Sequence, residues 1–510
     1  MSSKIISPFN RVEGDLDLKI EFSGNTVVKA YAISRLFRGI EIILKEKYPM
    51  DALVITPRVC GICGGSHLLA SAQALDMAYK AEVPENGVRL RNVMSMAEMG
   101  QNDARHTYLM FLIDTVNRKY EKFPFYKDMV MRWAPFYGSS YKAAVVWSKR
   151  YTEIYAIFGG QWPHGSSIVP GGITCEPTPE DIIKAKAILK TIKENFIEKV
   201  LLGGPLTQFL ELKSQSDLDQ WSEDYPQGDI SKIWIYGKEM EWDKLGSGSQ
   251  YLMSFGHLPL AENYSQGKGE LRFRSGILYL KTWEIFPLEQ GNIAEFVTHS
   301  FYTYTKGNVG LHPFKGETIP IMPKENGKYT FTKAFRYSLN GEYIAPEVGS
   351  LAMLSVSLNP LIVDILRRRG KSVLVREISR ILRLVLIHKF VEEELGNYEP
   401  NGKTYIKPDE KNEGEGFGLV EASRGSLGHW ISIKDGKINN YQIITPTQIN
   451  MGPEDPFGNP SHMSQALVGT KVDYTDNPIE IAHIVRSHDA CMVCNVHFLD
   501  GNQERFSVRI

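Results

Sequence analysis

The 510-residue sequence predicts an α-rich α+β fold, a central bundle of long helices with β-hairpins at its periphery. Three observations carry this. Helical periodicity runs through 88–117, 140–158, 179–200 and 360–396. Apolar and polar residues alternate on either side of Gly24-Asn25 over 10–33, and on either side of Lys434-Asp435-Gly436-Lys437 between 428–434 and 437–445, each the pattern of a hairpin. No repeat, low-complexity linker or composition shift separates the helical from the β-like parts. The chain therefore reads as a single large body, 1–510.

Taken in order, 1–83 holds the first hairpin and, from Ser66 to about Glu82, a helix. Segments 84–200 and 351–400 supply the core helices. The mixed segment 201–350 is rich in glycine and aromatics, with short β-like runs such as KIWIYG and LRFRSGILYLKTW. The last β pieces lie in 401–497, where 478–487 reads as a short helix, and 498–510 is a terminal extension.

Lysine plus arginine number 58 against 59 aspartate plus glutamate, a balance that gives no reason to expect nucleic acid or an anionic membrane surface. No run approaches the ~20 apolar residues that span a bilayer. The N-terminus lacks a charged-then-apolar signal pattern, so the cytoplasm is the expected location, unless a partner carries the chain to a membrane or through it.

Five cysteines occur. Cys60 and Cys63 form one CxxC just ahead of the Ser66 helix, Cys491 and Cys494 form a second near the other end, and Cys175 stands alone as a small buried hydrophobe. In a large chain, paired CxxC motifs point to metal or redox chemistry rather than to structural disulfides. Four thiolates suit zinc, iron–sulfur, or nickel and iron. Structural zinc is the plainest reading, but it usually organises a small local module, not the two ends of a chain this long.

The first motif reads Arg58-Val59-Cys60-Gly61-Ile62-Cys63, followed by Gly64-Gly65-Ser66-His67. The second reads Asp489-Ala490-Cys491-Met492-Val493-Cys494-Asn495-Val496-His497. Together they closely resemble the nickel–iron hydrogenase large-subunit family, which carries RxCGICxxxH near its start and DPCxxCxxH at its end. The second motif departs from that pattern, with Ala490 in place of proline. Four further segments extend the resemblance: Arg11-Val12-Glu13-Gly14, Phe37-Arg38-Gly39-Ile40-Glu41, Gln161-Trp162-Pro163-His164-Gly165 with Pro170-Gly171-Gly172, and Glu421-Ala422-Ser423-Arg424-Gly425. In the first of these Asp15 replaces a histidine, and in the last Ser423 replaces the proline of EAPRG.

The resemblance implies that family's fold and an uptake-type activity, the reversible cleavage of H2. It implies a Ni–Fe centre with Cys60 and Cys491 as terminal nickel ligands, Cys63 and Cys494 bridging nickel and iron, and CO and cyanide on the iron. Arg424 would stand over the metals, permanently charged; its plainer reading is a salt-bridged core arginine. Glu13 would relay protons beside a thiolate, since a buried carboxyl has a raised pKa; otherwise it caps or pairs at the hairpin start. Asp489 would orient the site from behind Cys491 or cap a loop, and Asp103, in QNDARHTY, would lie near the iron. Glu41 and His497 resemble ligands of a separate magnesium or iron ion, or form a plain hydrogen bond. An iron–sulfur small subunit is the implied partner, because the chain has no cysteines left for an electron relay. An endopeptidase that removes Phe498 to Ile510 and a higher oligomer of heterodimers are also implied. An H2-sensing relative, a non-catalytic relative and a structural zinc protein are the alternatives.

Overall fold

The computed structural model describes residues 2–265, 269–307, 309–321 and 327–492. Four helices make the centre: α1 (Gly64–Tyr79), α2 (Glu85–Arg105), α3 (Ser139–Gly159) and α4 (Val373–Gly396). Helix α4 begins on a serine cap, the Ser372 hydroxyl accepting from Val375 N–H, and runs 24 residues with almost every side chain of its first turns buried. A helix enclosed on most sides belongs at the middle of a large core. One apolar cluster runs from Ile6 in the first strand to Met492 inside the second CxxC, so the first strand and the last described residue share a core.

Three antiparallel strands, β1 (Ser2–Phe9), β2 (Leu16–Ser23) and β3 (Thr26–Ser34), form the N-terminal sheet in that order. The hairpin at Gly24-Asn25 is the predicted one; β1 adds a strand outside it. A second sheet, β4 (Gly414–Ala422), β5 (Gly425–Lys434) and β6 (Lys437–Ile444), lies directly on α1. The reason is a glycine stripe. A Cβ at Gly416 or Gly418 would meet the Ala74 or Ala70 carbonyl oxygen at 2.0 or 1.9 Å, so only glycine lets the strand approach the helix this closely. That contact sets the β4–β5 turn against the helix that begins at the first CxxC.

Three expectations change in detail. KIWIYG lies in the helix Asp229–Glu239, not a strand. Its isoleucines, tryptophan and tyrosine also fit an amphipathic helix, and tertiary packing decided between the two. The helix read over 88–117 is α-helical only to Arg105, then continues as a wider π turn, His106–Phe111, and a short 3-10 turn. Such local widening often marks a functional position, and here it falls beside Arg486, whose carbonyl lies 2.7 Å from His106 Nε2. The helix read over 360–396 is broken at 370–372 between Pro360–Arg369 and α4.

Candidate metal centre

The first CxxC sits at the N-terminus of α1, with Cys63 as the residue before its first turn. Two adjacent glycines make the turn possible. A Cβ at Gly64 would lie 2.7 Å from the Pro57 carbonyl, and one at Gly65 would lie 2.7 Å from both Glu98 and Tyr155. Glu98, from α2, takes up the orphan donors of the helix start, accepting from Gly65 N–H at 2.8 Å, Ser66 N–H at 2.8 Å and the Ser66 hydroxyl at 2.6 Å. Burial outweighs those bonds and pushes the Glu98 carboxyl up to about 7. Sequence reading missed Glu98, because nothing in a lone glutamate inside a helical pattern says which distant helix it caps.

Cys491 of the second CxxC comes to the first. Cys60 Sγ and Cys491 Sγ lie 3.7 Å apart across 431 residues of chain, and Cys60, Cys63 and Cys491 form their own buried cluster. Ile62 and Cys63 N–H both point at Cys60 Sγ from 3.4 Å. The approach is built by backbone as well as by packing. Glu13 and Cys491 pair as an isolated parallel bridge, Met492 N–H donates to the Glu13 carbonyl, and Cys491 N–H donates to the Thr447 hydroxyl at 3.0 Å. Behind the bridge, Asp114 binds the guanidinium groups of both Arg11 and Arg486, one from the head of the chain and one from its foot.

Arg424 occupies the two-residue turn between β4 and β5, where Ala422 pairs with Gly425. Gly425 has φ +124°, and a Cβ there would strike Gly349 N at 2.7 Å. The Arg424 Nε–H donates to Asp489 Oδ1 at 3.1 Å, while its Nη1 has no partner among the described residues. Burial works against its charge, but Asp489 and the Cys491, Cys63 and Cys60 sulfurs outweigh that and raise its pKa. The guanidinium thus lies within reach of the sulfurs' charge and keeps one donor without a partner among the described residues. Asp489 is itself fixed, with Asn102 Nδ2 donating to its Oδ2 at 2.8 Å. Burial pushes the Asp489 carboxyl up, yet Arg424, with His106, Arg380 and Asn102, more than reverses this and holds it at about 2. Glu13 shares with Arg424, Asp489 and His106 a small cavity of about 10 Å³. Burial raises the Glu13 carboxyl above the ordinary range, Arg424 opposing and Cys60 and Asp489 adding to it.

Asp103 stands one step further back. Both its oxygens accept from Arg383, which also donates to the Ser423 carbonyl. A two-pronged carboxylate–guanidinium pair of this kind is rigid, so Asp103 positions the turn that carries Arg424. Elsewhere, Glu41 accepts from Ile443 N–H at 2.9 Å and from the Thr318 hydroxyl, with Lys333 Nζ 3.5 Å away and Gln442 Oε1 on the same lysine. Cys494, His497 and the extension 498–510 lie outside the described residues. Cys175 is half-buried, its Sγ 4.0 Å from the Ile157 carbonyl.

Buried cysteine sulfurs 3.7 Å apart are spaced as two ligands on one soft ion with metal–sulfur bonds of ~2.3 Å would be. Zinc would satisfy that spacing as well as nickel. Comparison with known proteins separates them: the sequence profile of a family described as nickel-dependent hydrogenase matches residues 38–120 and 136–497. The chain belongs to the nickel-dependent hydrogenase family. Among the family's characterised members, it is 28% identical over 599 residues to the uptake hydrogenase large subunit of Bradyrhizobium diazoefficiens, covering 99% of this chain and 97% of that one. It is 29% identical to the periplasmic [NiFeSe] hydrogenase large subunit of Desulfomicrobium baculatum, covering 97% and 94%. Its fold matches the Ni-Fe-Se hydrogenase from D. vulgaris Hildenborough with a TM-score of 0.82 at 29% identity, covering 97% of this chain and 100% of that chain. The α-rich fold expected from the sequence is therefore the hydrogenase large-subunit fold.

Proposed function

We propose that the chain is the catalytic large subunit of an uptake-type nickel–iron hydrogenase, interconverting H2 with two protons and two electrons. The observation that carries this is the meeting of Cys60, Cys63 and Cys491 in one buried cluster whose charge acts on the buried Arg424. A closed structural zinc site has no need of a cation over it. Cys60, Cys63, Cys491 and Cys494 would hold the metals, with CO and cyanide on the iron. When bound, the Ni–Fe centre supplies the place where H2 is split heterolytically.

The chain's own residues do the rest. The Arg424 guanidinium, buried and bonded to Asp489, keeps a fixed positive charge close to the sulfurs. Glu13, its carboxyl raised by burial, takes the proton from the thiolate side and passes it outward. Asp103, through Arg383, holds the Arg424 turn in register. Glu41 and His497 would bind a magnesium or iron ion near the chain's end. Electrons would leave through an iron–sulfur small subunit; the relatives' designation as large subunits supports a partner of this kind. A maturation endopeptidase acting after His497, assembly of the heterodimers into a higher oligomer, and a cytoplasmic location, or one set by the partner, complete the proposal. No helix among the described residues is long and apolar enough by itself to cross a membrane.

Metal analysis with infrared spectroscopy of the purified heteromer tests it. Nickel and iron in equal amounts, with CO and cyanide stretching bands, are expected. Zinc alone, or no metal, would overturn the reading. Intact-mass measurement decides the extension: an active, metal-replete chain still ending at Ile510 would exclude processing.

A further inference from the structure

The roles given to Glu13, Arg424 and Asp489 leave one buried carboxyl beside the first CxxC without a task, Glu98. It reaches from α2 to the first turn of α1, where it accepts from the N–H groups of Gly65 and Ser66, each at 2.8 Å, and from the Ser66 hydroxyl at 2.6 Å. Gly65 and Ser66 are the second and third residues of α1, and Cys63 is the residue that precedes the helix. The side chain of that preceding residue is the one that ordinarily accepts from the second or third N–H. Here a carboxylate from another helix has taken both donors. The missing Cβ of Gly65 makes the room, since one there would lie 2.7 Å from Glu98 Oε2.

Three features give Glu98 the character of a charge as well as a cap. Its hydrogen bonds are all donated to it and none by it, the pattern of an ionised carboxylate. Other buried carboxylates carry a cation of their own, Asp76 with Arg91, Asp103 with Arg383 and Glu347 with Arg376. Among the described residues no lysine or arginine pairs with Glu98, so the positive end of α1 is what offsets its charge. Finally, the Cys60 sulfur acts on Glu98, opposing its ionisation. That interaction is mutual, so a charge at Glu98 acts equally on the Cys60 sulfur.

We propose that Glu98 is a positioning residue for the metal centre, one that holds the first CxxC turn and keeps electron density on the Cys60 and Cys63 sulfurs. The inference rests on the hydrogenase reading above. A helix that begins at a ligand offers that ligand its free N–H groups and the positive end of its dipole, and both draw charge off a sulfur. Glu98 engages those donors and sets a negative charge against the same helix end. The sulfurs then donate more strongly to the metal they hold, and its reduction potential falls. No bond forms or breaks, and no proton or electron passes through Glu98.

The competing reading is a cap that only folds the turn. Infrared bands of CO and cyanide in the metal-loaded heteromer separate the two, because they fall in wavenumber as the sulfurs push more charge onto the metals. Spectra taken at about pH 9 keep Glu98 ionised, above the value of about 7 to which burial raises it. Glu98→Gln keeps the shape and one acceptor but removes the charge. Its bands are expected at higher wavenumber than those of the wild type and its reduction midpoint at more positive potential, with nickel and iron content unchanged. Ser66→Ala keeps the charge and takes one donor away from it, so its bands are expected at lower wavenumber. A cap that only folds the turn would move both variants the same way, or neither, and either result would overturn the proposal.

If Glu98→Gln takes up no metal, the direction of the Ser66→Ala shift decides alone: a lower wavenumber supports the proposal, and an unchanged or higher one overturns it. A wild-type protein without CO and cyanide bands would instead overturn the hydrogenase reading. Cobalt(II) bound at the cysteines then decides the role of Glu98. Its sulfur-to-metal absorption is expected at shorter wavelength in Glu98→Gln than in the wild type, and an unshifted absorption would overturn the proposal.

Discussion

Two buried arginines, one beside Asp455 and one above the cysteines, show how a working cation differs from a structural one. Arg336 pairs with Asp455 at 2.8 Å, and its remaining nitrogens donate to the carbonyls of Phe335, Pro453 and Asn459. Every nitrogen of that guanidinium has an acceptor. Arg424 is also buried but uses Nε on Asp489 and leaves Nη1 without a partner among the described residues. A saturated arginine ties loops together. Arg424, held from behind by a second carboxylate network through Asp103 and Arg383, is placed at the site by the sulfur charges it feels, not by its unpartnered nitrogen, since Arg376, Arg380, Arg383 and Arg486 carry one too.

The largest effect is expected on the metal side. Cys491→Ala should abolish nickel binding and activity altogether, read by metal analysis, while the apoprotein keeps its far-UV circular dichroism. Arg424→Lys should come next. It keeps the charge but loses the planar donor set, and should cut H2 oxidation per nickel by a factor on the order of 10²–10³ with nickel retained. Glu13→Gln should lower turnover by about 10²-fold or more, yet leave metal content unchanged, and its effect should be on proton exchange with solvent rather than on H2 affinity.

Asp455→Ala probes the structural arginine. Leaving Arg336 buried and unpaired should cost about 3–5 kcal/mol of stability, seen as a lowered unfolding midpoint, while activity per nickel stays at the wild-type value. A loss of activity per nickel would show that the two arginines do not divide into one structural and one working cation.

The smallest effect is a pH dependence. Burial pushes the Asp114 carboxyl up, but Arg486 and Arg11 more than reverse it, so its folded pKa lies below the ordinary 3.8. A depressed carboxyl adds stability that is complete above the unfolded value and is lost as pH falls through the folded one. Unfolding midpoints measured below about pH 4 should therefore fall less steeply in Asp114→Asn than in the wild type, and the variant should be the less stable of the two at neutral pH.

Much of this was legible in the residues. The two CxxC motifs with their neighbours pointed to the family, and the same phrases singled out Glu13, Arg424 and Asp489, which the fold brings around one spot. The hairpins at Gly24-Asn25 and 434–437 were legible because turn chemistry and two-residue alternation are local. KIWIYG was not, since a short run of β-branched and aromatic residues fits either element until its neighbours choose.

Local chemistry is what the chain order alone settled: which side chains can bind a soft metal, which segments turn, and which helices carry an apolar face. Tertiary structure decided partnership. That Glu98 caps the helix after the first CxxC, that Asp103 holds the Arg424 turn through Arg383, and that Asn102 fixes Asp489 all depend on contacts across tens to hundreds of residues. Those contacts arise because burying one continuous core brings the ends of the chain together, and spacing along a sequence carries no record of which distant surfaces that burial will join.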